Sequence, residues 1–256
     1  MALWRTIPIV MLTLRQFLAG RTVRVFGALA LLPALFALVY LFGPDDLPPY
    51  RFLVTQFREL VLPTLLPIAV LLVATAAIGN EIEDRTLPYL TMKPVGRWRI
   101  VLEKWVAVLL VALPIMLAGV AVTTLAAAQG PTDTASRVAT SSNLWPLFGA
   151  MAAATGVATL LLASVFLLVS LVAPRALLAG VIYVFAWESL LGRFLPGVQN
   201  ISIRHAAESV FVAVLADPRV TLSEAATLRG AITTTVVVSL LALVLSTLRL
   251  RTMNQE

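Results

Sequence analysis

Cysteine is absent from the 256-residue chain. Its absence excludes a disulfide framework, a thiol nucleophile and thiolate metal ligation. Histidine occurs once, as His205 beside Arg204. One imidazole without thiols leaves too few ligands for a zinc site, and a surface position is the expectation for it. Lysine occurs only as Lys93 and Lys104, which follow Met92 and Glu103. A phosphate-binding loop needs Gly-Lys followed by Ser or Thr, so the chain has no such loop with which to bind and hydrolyse ATP. Charge of either sign is scarce, at 12% of residues against about 25% in soluble domains. A large soluble core is thereby excluded. Many serines and threonines lie in apolar stretches, but no histidine or lysine partners them as a base, so an intramembrane hydrolase is a poor reading.

What fills the chain instead is apolar surface. Sixty per cent of residues are hydrophobic and the mean hydropathy is +0.95. A membrane-spanning helix needs about 20 consecutive apolar residues. Such runs fall at about 25–43, 60–80, 104–128, 145–172, 176–192 and 230–248. Polar segments separate them: Pro44 to Pro49, the charged stretch 81–103, residues 129–144, the short break Ala173-Pro174-Arg175, and the mixed segment 193–229. The expected fold is therefore a single all-α transmembrane domain of six spans over residues 1–256. Residues 1–24 place Leu3, Trp4, Ile7, Val10, Met11, Leu14, Phe17 and Leu18 at near-helical spacing among Arg5, Arg15, Arg21 and Arg24. An amphipathic helix lying in the headgroup plane fits that pattern better than a plain loop. No cleavable signal peptide is evident, because these arginines interrupt the apolar stretch.

The net charge of +6 would raise nucleic acid as a partner in a soluble protein. Here the arginines sit at the ends of apolar runs, as basic residues do at cytoplasmic membrane edges, and no nucleic acid is expected. Six spans put both termini on one side. Twelve basic residues fall on that side, in the N-terminal segment, 81–104, Arg175, Arg249 and Arg251, against seven on the other. Both termini are therefore expected in the cytoplasm.

The stretch from Gly79 to Trp105 carries the most information. A span ends in Glu81, Glu83 and Asp84. A short amphipathic piece follows, with Ile82, Leu87, Tyr89 and Leu90 as its apolar face. Pro94 breaks the chain, and a basic aromatic segment re-enters the bilayer at Lys104-Trp105. A short charged element at the membrane surface suits docking to another protein; on composition alone a solvated connection serves equally well.

This stretch resembles the intracellular loop of type 2 ABC exporter permeases, the integral-membrane subunits of ATP-binding-cassette exporters. The matching positions are Glu81, Glu83, Thr86, Leu87, Leu90, Pro94, Val95, Arg97 and Lys104. Two positions depart from the usual pattern: Arg85 and Glu103 stand where Gly is common. The resemblance implies that Glu81, Glu83, Asp84, Arg85, Thr86, Leu87, Tyr89 and Leu90 form the contact with a separate ABC ATPase, with Pro94, Arg97 and Lys104 in the loop and re-entry. It implies two copies of the chain on an ATPase dimer, with ATP and Mg bound by the ATPase and no cofactor in this chain. It also implies a non-catalytic subunit in a bacterial plasma membrane and a pathway along the dimer interface. The apolar spans favour a hydrophobic or amphipathic cargo over an ion, and the 8% aromatic content speaks against a sugar-stacking channel. The alternative is a membrane subunit that supports maturation or release of an extracytoplasmic protein, for example a copper protein, without carrying a solute.

Three further features complete the reading. Glu188 lies either in the fifth span, where an acid is costly, or at its wet end. Gly149/Ala153 and Ala152/Gly156 are four apart and allow close helix contact, within the chain or across a dimer. Pro63, Pro67 and Pro114 are candidate kinks, and 201–216 is a candidate outer helix against the bilayer.

Overall fold

The computed structural model describes residues 8–42, 48–83, 96–130, 134–173, 175–184, 202–218, 220 and 227–252. Helix α1 is Pro8–Ala19 and α2 is Arg21–Leu41. An uninterrupted rod follows: α3 (Pro49–Gln56), a π-helical segment (Phe57–Leu65) and α4 (Leu66–Glu83). Then come α5 (Arg97–Ala127), α6 (Thr134–Val172), α7 (Ala176–Ile182), α8 (Ile203–Leu215) and α9 (Leu228–Thr252). No strand occurs among the described residues. Among the described residues, five helices are long and apolar enough to cross a membrane: Arg21–Leu41, Pro49–Ile78, Arg97–Ala127, Leu144–Val172 and Leu228–Thr252. The expected fifth span, 176–192, is described only to residue 184, and Glu188 lies outside the described residues.

Without water, every backbone group of a span must be satisfied inside its own helix, and this favours long unbroken helices. The chain exceeds its apolar runs accordingly. The second span was expected over 60–80, yet its rod starts at Pro49 and takes in Tyr50, Arg51, Gln56, Arg58 and Glu59. Pro63 sits in the π-helical segment, where wider turns take up the irregularity a proline creates. Pro33, Pro114 and Pro146 also lie within helices. The N-terminal amphipathic segment was expected as one helix over 1–24. It is instead divided at Gly20, where the backbone turns extended (φ −79°, ψ 163°) and where a Cβ would lie 2.9 Å from the Gln16 carbonyl. Arg21 and Arg24 consequently open α2.

The rod and α6 form the centre. The apolar stretch of Pro49–Ile78 is 78% buried, whereas those of α2 and α9 are 28% buried and lie at the periphery. Helix α6 touches α4, α5, α7, α8 and α9, and α2 lies along α5. The two run parallel, with Ala30 against Gly119 and Tyr40 against Gly130. Lipid tails are as apolar as leucine, so close packing and hydroxyl bonds hold such helices together. Buried hydroxyls are mostly returned to their own helix: Thr75 to Leu71 O, Thr123 to Gly119 O, Ser170 to Phe166 O, Thr235 to Ala231 O and Ser246 to Ala242 O. Trp105 Nε1 donates to Ser164 Oγ at 2.9 Å and joins α5 to α6.

Candidate functional site

The first two turns of α5 carry Arg97, Arg99, Glu103 and Lys104. Gly96 starts the helix with an extended backbone, and its carbonyl accepts from Arg99 N and Ile100 N. The i, i+4 spacing brings Arg99 Nε to Glu103 Oε1 at 2.7 Å. Three side chains then reach the ends of three other helices. Glu103 Oε2 accepts from Ile9 N at 3.0 Å and Val10 N at 3.3 Å, the first free amides of α1. Lys104, fully buried, donates its Nζ to the Ala77 carbonyl in the last part of α4. Arg97 Nη1 donates to the Arg251 carbonyl, 3.0 Å away at the end of α9.

The signs agree with the electrostatics of helix ends. A helix start carries partial positive charge and unbonded N–H groups; a helix end carries partial negative charge and unbonded carbonyls. A carboxylate meets the start of α1 and a guanidinium meets the end of α9, whereas the Lys104 ammonium meets α4 at the Ala77 carbonyl, six residues before its end. The foot of α5 thus joins the start of α1, the end of α4 and the end of α9 at one end of the bundle, which places Ile9 and Arg251 together there. Lys104 also pins the arm that enters the 84–95 connection to the arm that leaves it. Charged hydrogen bonds of this kind contribute about 1.5–3 kcal/mol each.

Of the expected contact residues, Glu81 and Glu83 lie in the last turn of α4. Asp84, Arg85, Thr86, Leu87, Tyr89, Leu90 and Pro94 lie outside the described residues. Arg97 and Lys104 are brought together at the foot of α5. Sequence reasoning passed over Arg99 and Arg251, and noted Glu103 only as a departure from a pattern. Two signals were present: the Arg99/Glu103 spacing, and Pro8, a favoured first residue of a helix, which marks the start of α1.

A comparison with protein families matches the chain to the ABC-2 family transporter protein model over residues 22–187. The chain belongs to that family. No curated protein matches it significantly. The matched region runs from α2 through α7 and contains both arms of the 84–95 connection. ABC-2 membrane proteins are the transmembrane permease subunits of ABC transporters, and their ATPase is a separate subunit.

At the far end of this ABC-2 chain a second polar cluster closes the bundle. Arg204 Nη2 reaches Glu208 Oε1 at 3.2 Å and the Arg58 carbonyl at 3.3 Å, and Arg58 Nε lies 3.9 Å from the same carboxylate oxygen. The π-helical segment is so tied to α8. Tyr50 Oη donates to Asp217 Oδ2, and Tyr40 stacks on Phe52 with ring centroids 4.3 Å apart. Helix α8 packs on α6, its Ala207 and Phe211 are fully buried, and the Phe211 ring lies against Phe57 with centroids 5.2 Å apart, so it belongs to the bundle and not to a surface lying on the bilayer. His205 is likewise buried, contrary to the expected surface position, in the first turn of α8, where Ser202 caps the helix by accepting from His205 N.

Proposed function

We propose that this chain is the permease of a bacterial plasma-membrane ABC exporter, driven by a separate ATPase that docks on the segment from Glu81 to Leu90. The observation that carries the reading is the foot of α5. The docking segment leaves the bundle at Glu83 and returns at Arg97, and Lys104 fixes the two arms to each other. A push on the segment therefore moves α4 and α5 together, and Arg97 and Glu103 pass it to α9 and α1. The foot faces the cytoplasm in this reading, in keeping with the basic residues at the helix ends there.

Two copies of the chain form the transporter. Gly149 and Gly156 support this: an added Cβ at either meets nothing within 4 Å, so these small positions serve no close contact inside the chain. The cargo is hydrophobic or amphipathic. Among the described residues, buried acidic and lysine charge is confined to Glu103, Lys104 and Glu208, all within the end clusters, which leaves the middle of the bundle uncharged, with hydroxyls and the Gln56 amide as its polar groups.

The test is made on the complex of this chain with its ATPase. Glu81→Lys, Glu83→Lys, Leu87→Ala and Tyr89→Ala are combined. Loss of one well-buried anchor costs about 2 kcal/mol or more, roughly 30-fold in affinity. The ATPase should fail to copurify, or its hydrolysis should no longer respond to amphipathic compounds, while insertion of the chain is unchanged. Parental copurification and parental response in the fourfold variant would overturn the docking assignment. Intact docking with no response to any such compound would favour the extracytoplasmic-protein role.

A further inference from the structure

Three charged residues act at the foot of α5, but Glu103 differs from the other two in what it holds. Arg97 and Lys104 secure helix ends that the chain delivers to the foot anyway. The first residue of α1, Pro8, has no N–H, and the first turn contains no acidic residue. Ile9 and Val10 are its first two donors, and both are taken by one carboxylate oxygen from 94 and 93 residues away. We propose that Glu103 is a positioning residue that latches α1 to the foot of α5, so that α1 moves as one body with the arms of the docking segment. The functional consequence rests on that end being the ATPase-facing end.

The latch is specific in register. Val10, Thr13 and Phe17 form the buried face of α1, which packs on α5. Apolar contact alone would tolerate a slide along the helix. Glu103 does not tolerate it: the residue is 5% exposed, and a slide of one turn would leave its carboxylate without the two amides. A buried carboxylate oxygen that loses both of its donors pays a desolvation penalty, which disfavours that arrangement. Arg99, on the other oxygen, holds the carboxylate in the rotamer that faces α1. The opposite face of α1 exposes Leu12, Arg15 and Leu18, so motion of the foot is displayed at the surface of the bundle.

The absence of native cysteine makes the test direct. Leu12→Cys on α1 and Leu102→Cys on α5, both exposed, receive spin labels, and the distance distribution is measured with the chain in lipid nanodiscs and again in the ATPase complex with and without trapped nucleotide. The parent should give one narrow distance in all three states. Glu103→Gly should lose it, giving a broad distribution. Glu103→Gln keeps an oxygen for the two amides and should restore most of the narrow population. In the complex, Glu103→Gly should retain the ATPase but lose the parental response of hydrolysis to amphipathic compounds. A narrow parental distance in Glu103→Gly, or Glu103→Gln no narrower than Glu103→Gly, would overturn the latch. Because the nanodisc measurement needs no ATPase, failure of the docking assignment would be seen separately, as an ATPase that never copurifies.

Discussion

Helices α2 and α5 approach most closely at Gly119, and a single methyl group there measures how rigid that crossing is. A Cβ on Gly119 would lie 2.2 Å from the Ala30 carbonyl oxygen and 3.0 Å from the carbonyl carbon. The shortest comfortable carbon–oxygen contact is about 3.3 Å, so one backbone must retreat by about 1 Å in Gly119→Ala. Over-packing of this kind costs about 1–3 kcal/mol. Replacing a helical Gly by Ala recovers about 0.5–1 kcal/mol of propensity, which leaves a net loss of about 1 kcal/mol or somewhat more. For a chain of this size each kcal/mol shifts Tm by about 2–4 °C. Gly180 provides the control. Its added Cβ would come 2.1 Å from Leu71 Cδ1, a similar overlap, but that atom is the tip of a side chain that can rotate. Thermal unfolding in nanodiscs, followed by the emission of the five tryptophans, should rank the parent highest, Gly180→Ala close below it, and Gly119→Ala lower by about 2–5 °C. If Gly119→Ala melts with the parent, or Gly180→Ala melts below Gly119→Ala, backbone contact does not set the α2–α5 crossing.

Lys104→Met keeps the apolar stem but removes the ammonium; the lost hydrogen bond and the relieved burial of charge offset each other to within about 1–2 kcal/mol. Its Tm should change little, while hydrolysis in the ATPase complex becomes independent of amphipathic compounds; unchanged coupling would show that the bond to Ala77 transmits nothing. Glu208→Gln leaves Arg58 and Arg204 facing each other without their carboxylate. It should lower Tm more than Gly119→Ala does, with about 3 kcal/mol as the upper estimate, and Arg58→Gln should lower it less, because Arg58 is more exposed and lies 3.9 Å away. A reporter active only outside the cytoplasm, fused after Glu256, should stay silent; strong activity in an inserted fusion would reverse the orientation assigned to the foot.

The spans were legible because an apolar run of spanning length has few other uses. The ends were not, and for a definable reason. Arg58 and Glu59 fall outside the apolar run 60–80, yet they are helical, and Arg58 has its partner in Glu208 on a helix some 150 residues further on, a pairing that no local window contains. Proline and glycine carried the opposite ambiguity: Pro63 is absorbed by the π-helical segment, whereas Gly20 does end a helix. Gly149 and Gly156 were conspicuous by spacing, but the close approaches are at Gly119 and Gly180. Arg97 and Lys104 were legible as re-entry residues through resemblance. Their partners, Arg251 O and Ala77 O, were not, because a backbone carbonyl leaves no mark in a sequence.

The three bonds at the foot of α5 also form in a fixed order during synthesis. Ile9 and Ala77 precede Glu103 and Lys104 in the chain, so both buried charges find their partners waiting when α5 enters the bilayer. Neither has to cross the insertion machinery and linger there uncompensated. Arg97 differs: its acceptor is made 154 residues later. At about 5–20 residues per second this is a delay of roughly 8–30 s. Throughout that interval the guanidinium stays hydrated at the membrane edge, and its bond to Arg251 closes only when α9 has been delivered. The last of the three bonds is therefore a mark of completion, absent from every nascent chain that stops short of α9.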